Sequence, residues 1–288
     1  MILELLIDGL AVGSIYALVS MGLVLVFQAT GTLNFAHGDI MMISTFVAYA
    51  LLVQLGLPFI VAIPVALCFA AVVAMLSERL VVRRLVGGSG PAIIMGTLGI
   101  SYILQGIASG VWSDDIFAFP KIFKGNFIML GDIRLVPQNI GVVVSTIVII
   151  VVLHLFLTKT KIGTGLRALT QNRVAASLMG VRVTRMYTLA WAIGGLLAAI
   201  AGVLLAPTLF LSTGMSEITF TAIMCAIIGG FGKIYGAVIG GYLVGIFSSI
   251  LPVYIPTELQ AIVPFILLMI VLFLKPTGLL GKKTIKKV

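Results

Sequence analysis

Residues 34–42 read NFAHGDIMM and set Asn34, His37 and Asp39 within six positions. An amide, an imidazole and a carboxylate this close can cap a turn, hold an ion or pass a proton, and Gly38 lets the backbone between them bend. The surroundings narrow that choice. The trio stands between apolar runs in a chain that is 61% apolar and only 9% charged. Soluble domains carry about a quarter charged residues, so lipid is the solvent for most of this chain. An ionisable side chain near a membrane span is costly, and is therefore a functional candidate. Asp39 heads that group. Glu217, beside another long apolar stretch, is the second acidic candidate.

The elements that must position these groups follow from length. A hydrocarbon core about 30 Å thick takes about 20 apolar residues per helix. Uncharged stretches run 9–27, 40–56, 57–77, 86–113, 135–158 (interrupted by His154), 186–216, 218–232, 234–257 and 259–274. Alternation of apolar and polar residues is absent, so the expected fold class is all-α and not a barrel. It is a polytopic membrane protein with about eight or nine transmembrane or half-spanning helices, read as one transmembrane domain over 1–288. Gly56 and Pro58 mark a turn between the second and third segments.

Positive charge gives the orientation. Arg79, Arg83 and Arg84 form one basic group, and Lys159, Lys161, Arg167, Arg173, Arg182 and Arg185 a second. Lys275, Lys282, Lys283, Lys286 and Lys287 form a third. All three are expected at the cytoplasmic face. The loop 114–134 balances Asp114, Asp115 and Asp132 against Lys121, Lys124 and Arg134, and is expected outside. Counting spans then puts the N-terminus outside and the C-terminus in the cytoplasm. With no Lys or Arg in the first 78 residues and no small-residue cleavage site, the first apolar run reads as a retained helix, not a signal peptide. The net charge of +9 follows from the same bias and calls for no nucleic acid. Cys68 and Cys225 lack CxxC spacing and read as core side chains, with no metal site.

The cytoplasmic loop, about 159–185, is long for a connector. From Gly165 to Met179 the spacing predicts one short helix, with Leu166, Leu169, Val174, Ala175, Leu178 and Met179 largely on one side. Arg167, Gln171 and Arg173 lie elsewhere on it, and Gly180 is placed to end it. Such a helix either lies on the bilayer or docks a cytoplasmic partner. Its run VAASLMG (174–180) resembles the EAA-x-x-x-G loop of ABC importer permeases, with Ala175, Ala176 and Gly180 in register and Val174 where that motif has Glu. Together with TGTLNFAHGDIMMISTFVAY (30–49), GLRALTQNRVAASLMGV (165–181) and IIGGFGKIYGAVIGGYLVG (227–245), the chain is similar over nearly its full length to permeases for branched-chain amino acids. It resembles the LivH-type subunit more than the LivM-type.

That resemblance implies a permease subunit of an ABC importer in the inner membrane, a transport subunit with no catalytic residues. Its partners would be a second, LivM-like permease chain, two ATPase subunits, an extracytoplasmic substrate-binding protein and membrane lipid. The chain itself would bind no cofactor, ATP and Mg staying on the ATPases. This agrees with the lack of a GxxxxGK[ST] motif, since in GGFGKI the lysine, Lys233, is followed by Ile. The resemblance makes Arg167, Gln171, Asn172, Ala175, Ala176 and Gly180 the ATPase-coupling residues. Asn34, His37, Gly38, Asp39 and Glu217 are candidates for the translocation path and gate.

Two readings of NFAHGDIMM remain. In one, it is an interfacial turn in which Asn34 caps, Gly38 bends, and His37 and Asp39 reach water. In the other, it is a broken helix lining the path. An echo between Thr30-Gly31…Asp39 and Thr213-Gly214…Glu217 suggests an inverted repeat, which favours the second. The spacings Gly236-x-x-x-Gly240 and Gly241-x-x-x-Gly245 predict close helix packing, whereas Gly9/Gly13 and Gly106/Gly110 are attributed to chance among 32 glycines. Gly229, Gly230 and Gly232 predict a tight turn. An ion-coupled secondary transporter is the alternative, with His37, Asp39, His154, Glu217 and Glu258 as its relay. An intramembrane serine protease built on Ser101 and His154 is a remote third. Neither explains VAASLMG.

The orientation is directly testable. In a chain freed of Cys68 and Cys225, a cysteine at Asp115 should react with an impermeant thiol reagent from outside, and one at Arg173 only after the inside is opened. Reversed labelling would overturn the orientation.

Overall fold

A computed structural model describes residues 2–85, 90–123, 125, 128–130 and 133–281. Lys124, Asp132, Lys282, Lys283, Lys286 and Lys287, and the side chains of Arg134 and Glu258, lie outside the described part. The helices in chain order are α1 Ile2–Thr30, α2 His37–Tyr49, α3 Phe59–Ser77, α4 Arg83–Leu85, α5 Gly90–Trp112, α6 Pro137–Lys159 and α7 Lys161–Gln171. They continue as α8 Arg173–Leu178, α9 Val183–Leu209, α10 Ile218–Gly230, α11 Ile234–Ile250 and α12 Val263–Leu274. A π-helical turn Ala50–Gln54 prolongs α2, a second, Glu78–Val82, joins α3 to α4, and a 3-10 turn Thr213–Glu217 precedes α10.

Among the described residues, 8 helical stretches are long and apolar enough to cross a membrane, and α12 is a shorter apolar helix. One departure from all-α is a two-stranded antiparallel hairpin, β1 Ile128–Leu130 with β2 Ile133–Leu135, in the 114–134 loop. Open strand edges are excluded only from lipid, so a connecting loop can carry them. The same loop pairs with the end of α9, through backbone hydrogen bonds between Phe117 and Leu211 of 2.8 and 2.9 Å. The apolar segment 186–216 is not one helix, because the chain turns extended at Phe210, with φ +61°.

The centre is formed by α1 and α9, each with 78% of its apolar stretch buried, against 22% for α3 with its extension and for α6. No hydrophobic drive brings helices together in lipid, so close backbone approach through small residues must do it. Gly241 and Gly245 of α11 lie against Ala17 and Gly13 of α1, while Gly236 and Gly240 lie against Gly229 and Cys225 of α10. The two spacings thus serve two different neighbours. Gly9 and Gly13 are packed as well, against the backbone of Ile246 and Tyr242, so the attribution of that pair to chance is corrected. Gly106 and Gly110 face open space. On the other side of α9, Gly195 meets Ala70 and Ala74 of α3.

One ion pair ties α3 to α9. Glu78 is 1% exposed and accepts from Arg83 Nε at 2.9 Å and a terminal guanidinium nitrogen at 2.7 Å. Thr188 Oγ1 of α9 donates to the same carboxylate at 2.9 Å. With three donors and the Arg83 guanidinium as its countercharge, this carboxylate is held without an uncompensated charge.

The glycine contacts predict a contrast. Gly245→Val should lower stability in detergent by about 1–3 kcal/mol or prevent folding, because a side chain there overlaps the backbone of Gly13. Gly110→Val should stay within about 0.5 kcal/mol. Equal thermal shifts for the two would contradict the packing described.

Candidate functional site

The turn after α1 is made at Gly31, which has φ +72° and donates its N–H to the Phe27 carbonyl at 2.7 Å. Residues 31–36 then run back along α1, since the His37 ring lies against Gly22 of α1 and Gly194 of α9. Gly22 precedes Thr30 by eight residues, roughly 12 Å of helix. Helix α2 therefore begins well inside the helical body and runs parallel to α9, with Met41 and Thr45 against Gly202.

The second half does the reverse. After α9 ends, the chain re-enters through the 3-10 turn, and α10 begins beside α2. The Gly38 N–H donates to Thr219 Oγ1 at 2.7 Å, and the Ser216 carbonyl lies against Gly38. From there α10 runs to the other end of the body, where Gln28 Nε2 of α1 donates to the Gly232 carbonyl at 2.6 Å and Phe27 meets Phe231 with ring centroids 4.4 Å apart. Gly230 and Gly232, with φ +109° and +87°, make the turn into α11.

Asn34, His37 and Asp39 are 1%, 1% and 2% exposed, so the reading in which His37 and Asp39 reach water is set aside. Gly38 is helical and permits close contact; the bend is at Gly31 instead. Asn34 does not cap α2. Its Oδ1 accepts from the Ala36 N–H at 3.1 Å, within the turn. Asp39 lies in the first turn of α2, where the helix dipole favours an anion. Its Oδ1 accepts from Gln105 Nε2 of α5 at 2.8 Å, and that nitrogen is 3.4 Å from Ser216 Oγ and 3.5 Å from Ser101 Oγ. Gln105 thus joins α5 to both re-entrant halves. Sequence reasoning passed over it, although it is the one amide in the apolar run 86–113. The His37 ring faces the backbone of Val19, and neither nitrogen makes a well-formed hydrogen bond.

Glu217 is exposed, whereas Asp39 is buried. It lines a cavity of ≈ 680 Å³ with Ser212, Thr221, Gln260, Met224 and Phe265. The echo pairing Asp39 with Glu217 therefore matches residue types but not environments, and the neighbour of the Asp39 cluster is Ser216.

The 159–185 loop is two helices, not one. Asn172 breaks it, because its Oδ1 caps α8 by accepting from the Ala175 N–H at 3.0 Å. Leu166 and Leu169 of α7 are buried at 2% each and Ala176 of α8 at 4%. Arg167, Gln171 and Ala175 are exposed, as is Asn172. Val174, Leu178 and Met179 are 70%, 83% and 85% exposed and so do not share the face of Leu166 and Leu169. Gly180, with φ +83°, ends α8: its N–H donates to the Ser177 carbonyl and the Val181 N–H to the Ala176 carbonyl, each at 3.0 Å. Arg173 folds back onto Tyr187 of α9, 5.8 Å from the ring centroid, and its guanidinium touches Gly31. The loop is thereby linked to the turn that leads into α2.

Other sequence candidates separate. His154 hydrogen-bonds Tyr235, and Ser101 has Gln105 as its neighbour, so no Ser–His pair forms. Among the described residues no cluster of three or more His, Cys, Asp or Glu could hold a metal.

Residues 5–272 match the family model described as "Branched-chain amino acid transport system / permease component". The chain is 30% identical over 300 residues to the high-affinity branched-chain amino acid transport system permease protein BraD of Pseudomonas aeruginosa, covering 99% of this chain and 98% of that one. It is 31% identical over 311 residues to the corresponding protein LivH of Escherichia coli, covering 99% and 97%. The structure of PsaBC from Streptococcus pneumoniae in complex with Fab has a similar fold, with TM-score 0.51 and 14% identity over 94% of this chain and 91% of that chain.

The Asp39–Gln105 contact can be measured by a double-mutant cycle on thermal unfolding. Gln105→Leu should cost about 1–3 kcal/mol by stranding a buried carboxylate. In an Asp39→Asn background the same change should cost less, giving a coupling of about 1 kcal/mol. Additivity would show that the two groups act independently.

Proposed function

The chain belongs to the family of permease components of branched-chain amino acid transport systems, and on that premise we propose that it forms the path by which hydrophobic, branched-chain amino acids cross the inner membrane. Membership makes it a multi-pass transport subunit, not an enzyme, and brings ATPase and binding-protein partners with it. The finer reading is ours. A second, similar permease chain completes the path, two ATPase subunits holding ATP and Mg drive it, and an extracytoplasmic binding protein delivers the substrate.

One observation carries this reading. The short helix α8 presents Val174, Leu178 and Met179 outward while Leu166, Leu169 and Ala176 anchor the α7–α8 segment to the body. An apolar patch on a rigid mount suits a partner that must push, because force generated in another chain enters only through a stiff contact. From α8 the contact passes through Arg173 to Tyr187 and Gly31, and so to the turn before α2. In alternating access the paired starts of α2 and α10 act as the gate, held by the Gly38–Thr219 and Asp39–Gln105 bonds. Closing and opening it moves groups without making covalent bonds. The Glu217 cavity, with a carboxylate beside Met224 and Phe265, suits an ammonium group attached to an apolar side chain. The ion-coupled alternative gains nothing from the geometry, since His154 is bonded to Tyr235 and Glu217 is exposed while Asp39 is buried with Gln105 as its partner.

Leu178→Asp and Met179→Asp should therefore leave thermal stability unchanged but reduce ATPase copurification and leucine uptake about tenfold or more. Leu169→Asp should unfold the segment instead. Normal uptake in both exposed-site variants would refute α8 as the docking element.

A further inference from the structure

Between α6 and α11 the body is left open. The gap is a cavity of ≈ 450 Å³ floored by Met21 and Leu25 of α1 and walled by Leu153 of α6 and Val238 of α11. The His154–Tyr235 hydrogen bond spans it. Its flanks continue into exposed apolar side chains, Val151, Val152 and Leu155 on α6 and Ile239 on α11. One end differs in chemistry. There Arg167 of α7 and Lys233, just before α11, line the mouth beside Leu280, and among the described residues no Asp or Glu lines the cavity. Gln28 holds the Lys233 turn against α1 through the Gly232 carbonyl. In the sequence, Leu280 is followed by GKKTIKKV, which adds four lysines within seven residues of it.

An apolar slot in a membrane span with two cations at one end is the complement of one molecule, a phospholipid lying along α1 with its phosphate at Arg167 and Lys233. We propose that this cavity is a binding site for an anionic phospholipid of the leaflet facing the basic loops. The apolar walls alone cannot select a lipid, since acyl chains find the same environment in the bulk bilayer. Selection comes from the cations, each worth about a fivefold preference for an anionic headgroup near the surface. The bound lipid would brace α7, which carries Arg167 and leads directly into α8. This site stands on the cavity and its charges and does not depend on which solute the protein carries.

The test uses the full chain with its partner chains in phosphatidylcholine nanodiscs, with trace spin-labelled phosphatidylglycerol or phosphatidylcholine, and reads the motionally restricted fraction by electron spin resonance. The wild type should restrict phosphatidylglycerol preferentially. Lys233→Gln and Arg167→Gln should each lower that preference about fivefold, Val238→Trp should remove it by filling the slot, and Arg185→Gln, an exposed cation away from the cavity, should leave it intact. Lys233→Gln keeps the test decisive if Val238→Trp does not fold. No preference in the wild type, an equal loss in Arg185→Gln, survival in a folded Val238→Trp, or displacement by inorganic phosphate would each overturn the proposal.

Discussion

The first amide groups of any helix have no acceptor within it, and α2 begins inside the apolar body, with the residues of its first turn buried. At the start of α2, side chains from two other helices answer that constraint. Thr219 Oγ1 accepts from the Gly38 amide, and Asp39 places a carboxylate in the first turn, where the helix dipole favours it. The carboxylate then needs a donor of its own, which Gln105 of α5 supplies. Contacts this close demand a residue without a side chain, and Gly38 is that residue, since a Cβ would overlap both Thr219 and Ser216. Irregular backbone at depth is tolerated where protein surrounds it, and here α1, α5 and α9 do so.

The same logic governs the charged clamp at the ends of α3 and α9. Glu78 is buried with Arg83 and Thr188 bonded to it. Removing Arg83 would leave the buried Glu78 carboxylate without its countercharge, which is far costlier than the pair is stabilising. Close by, Arg173 lies over Tyr187 and against Gly31. The start of α9 is thus gripped by a side chain from α3's extension and by one from α8. A single guanidinium on α8 touches both α9 and the turn before α2.

Glycine spacing shows the limits of one-dimensional reading. Gly9/Gly13, Gly106/Gly110 and Gly241/Gly245 have the same spacing in the same kind of helix, yet the first and third mate with each other across α1 and α11 while the second faces open space. Spacing says that a helix has a smooth face. Which helix lies against that face is set by the path of the whole chain.

Composition and patterning alone determined that this chain lives in lipid, that it is helical, about how many helices it has, and where the basic loop and its terminating Gly180 lie. These are properties of single segments: apolar length, absence of alternation, and the local preference of glycine for positive φ. The family was legible too, from three short motifs in order. Tertiary structure decided the rest. It showed that residues 31–36 turn back into the body, that Asp39 meets Gln105 across 66 residues of chain, that Asn172 splits the loop helix, and that Val174, Leu178 and Met179 point away from Leu166 and Leu169. In an apolar chain nearly every residue is compatible with burial, so hydrophobicity cannot tell a lipid face from a protein face or a crossing helix from a half helix. Only the fit of one backbone against another, through the few small and polar side chains at their contacts, makes that distinction.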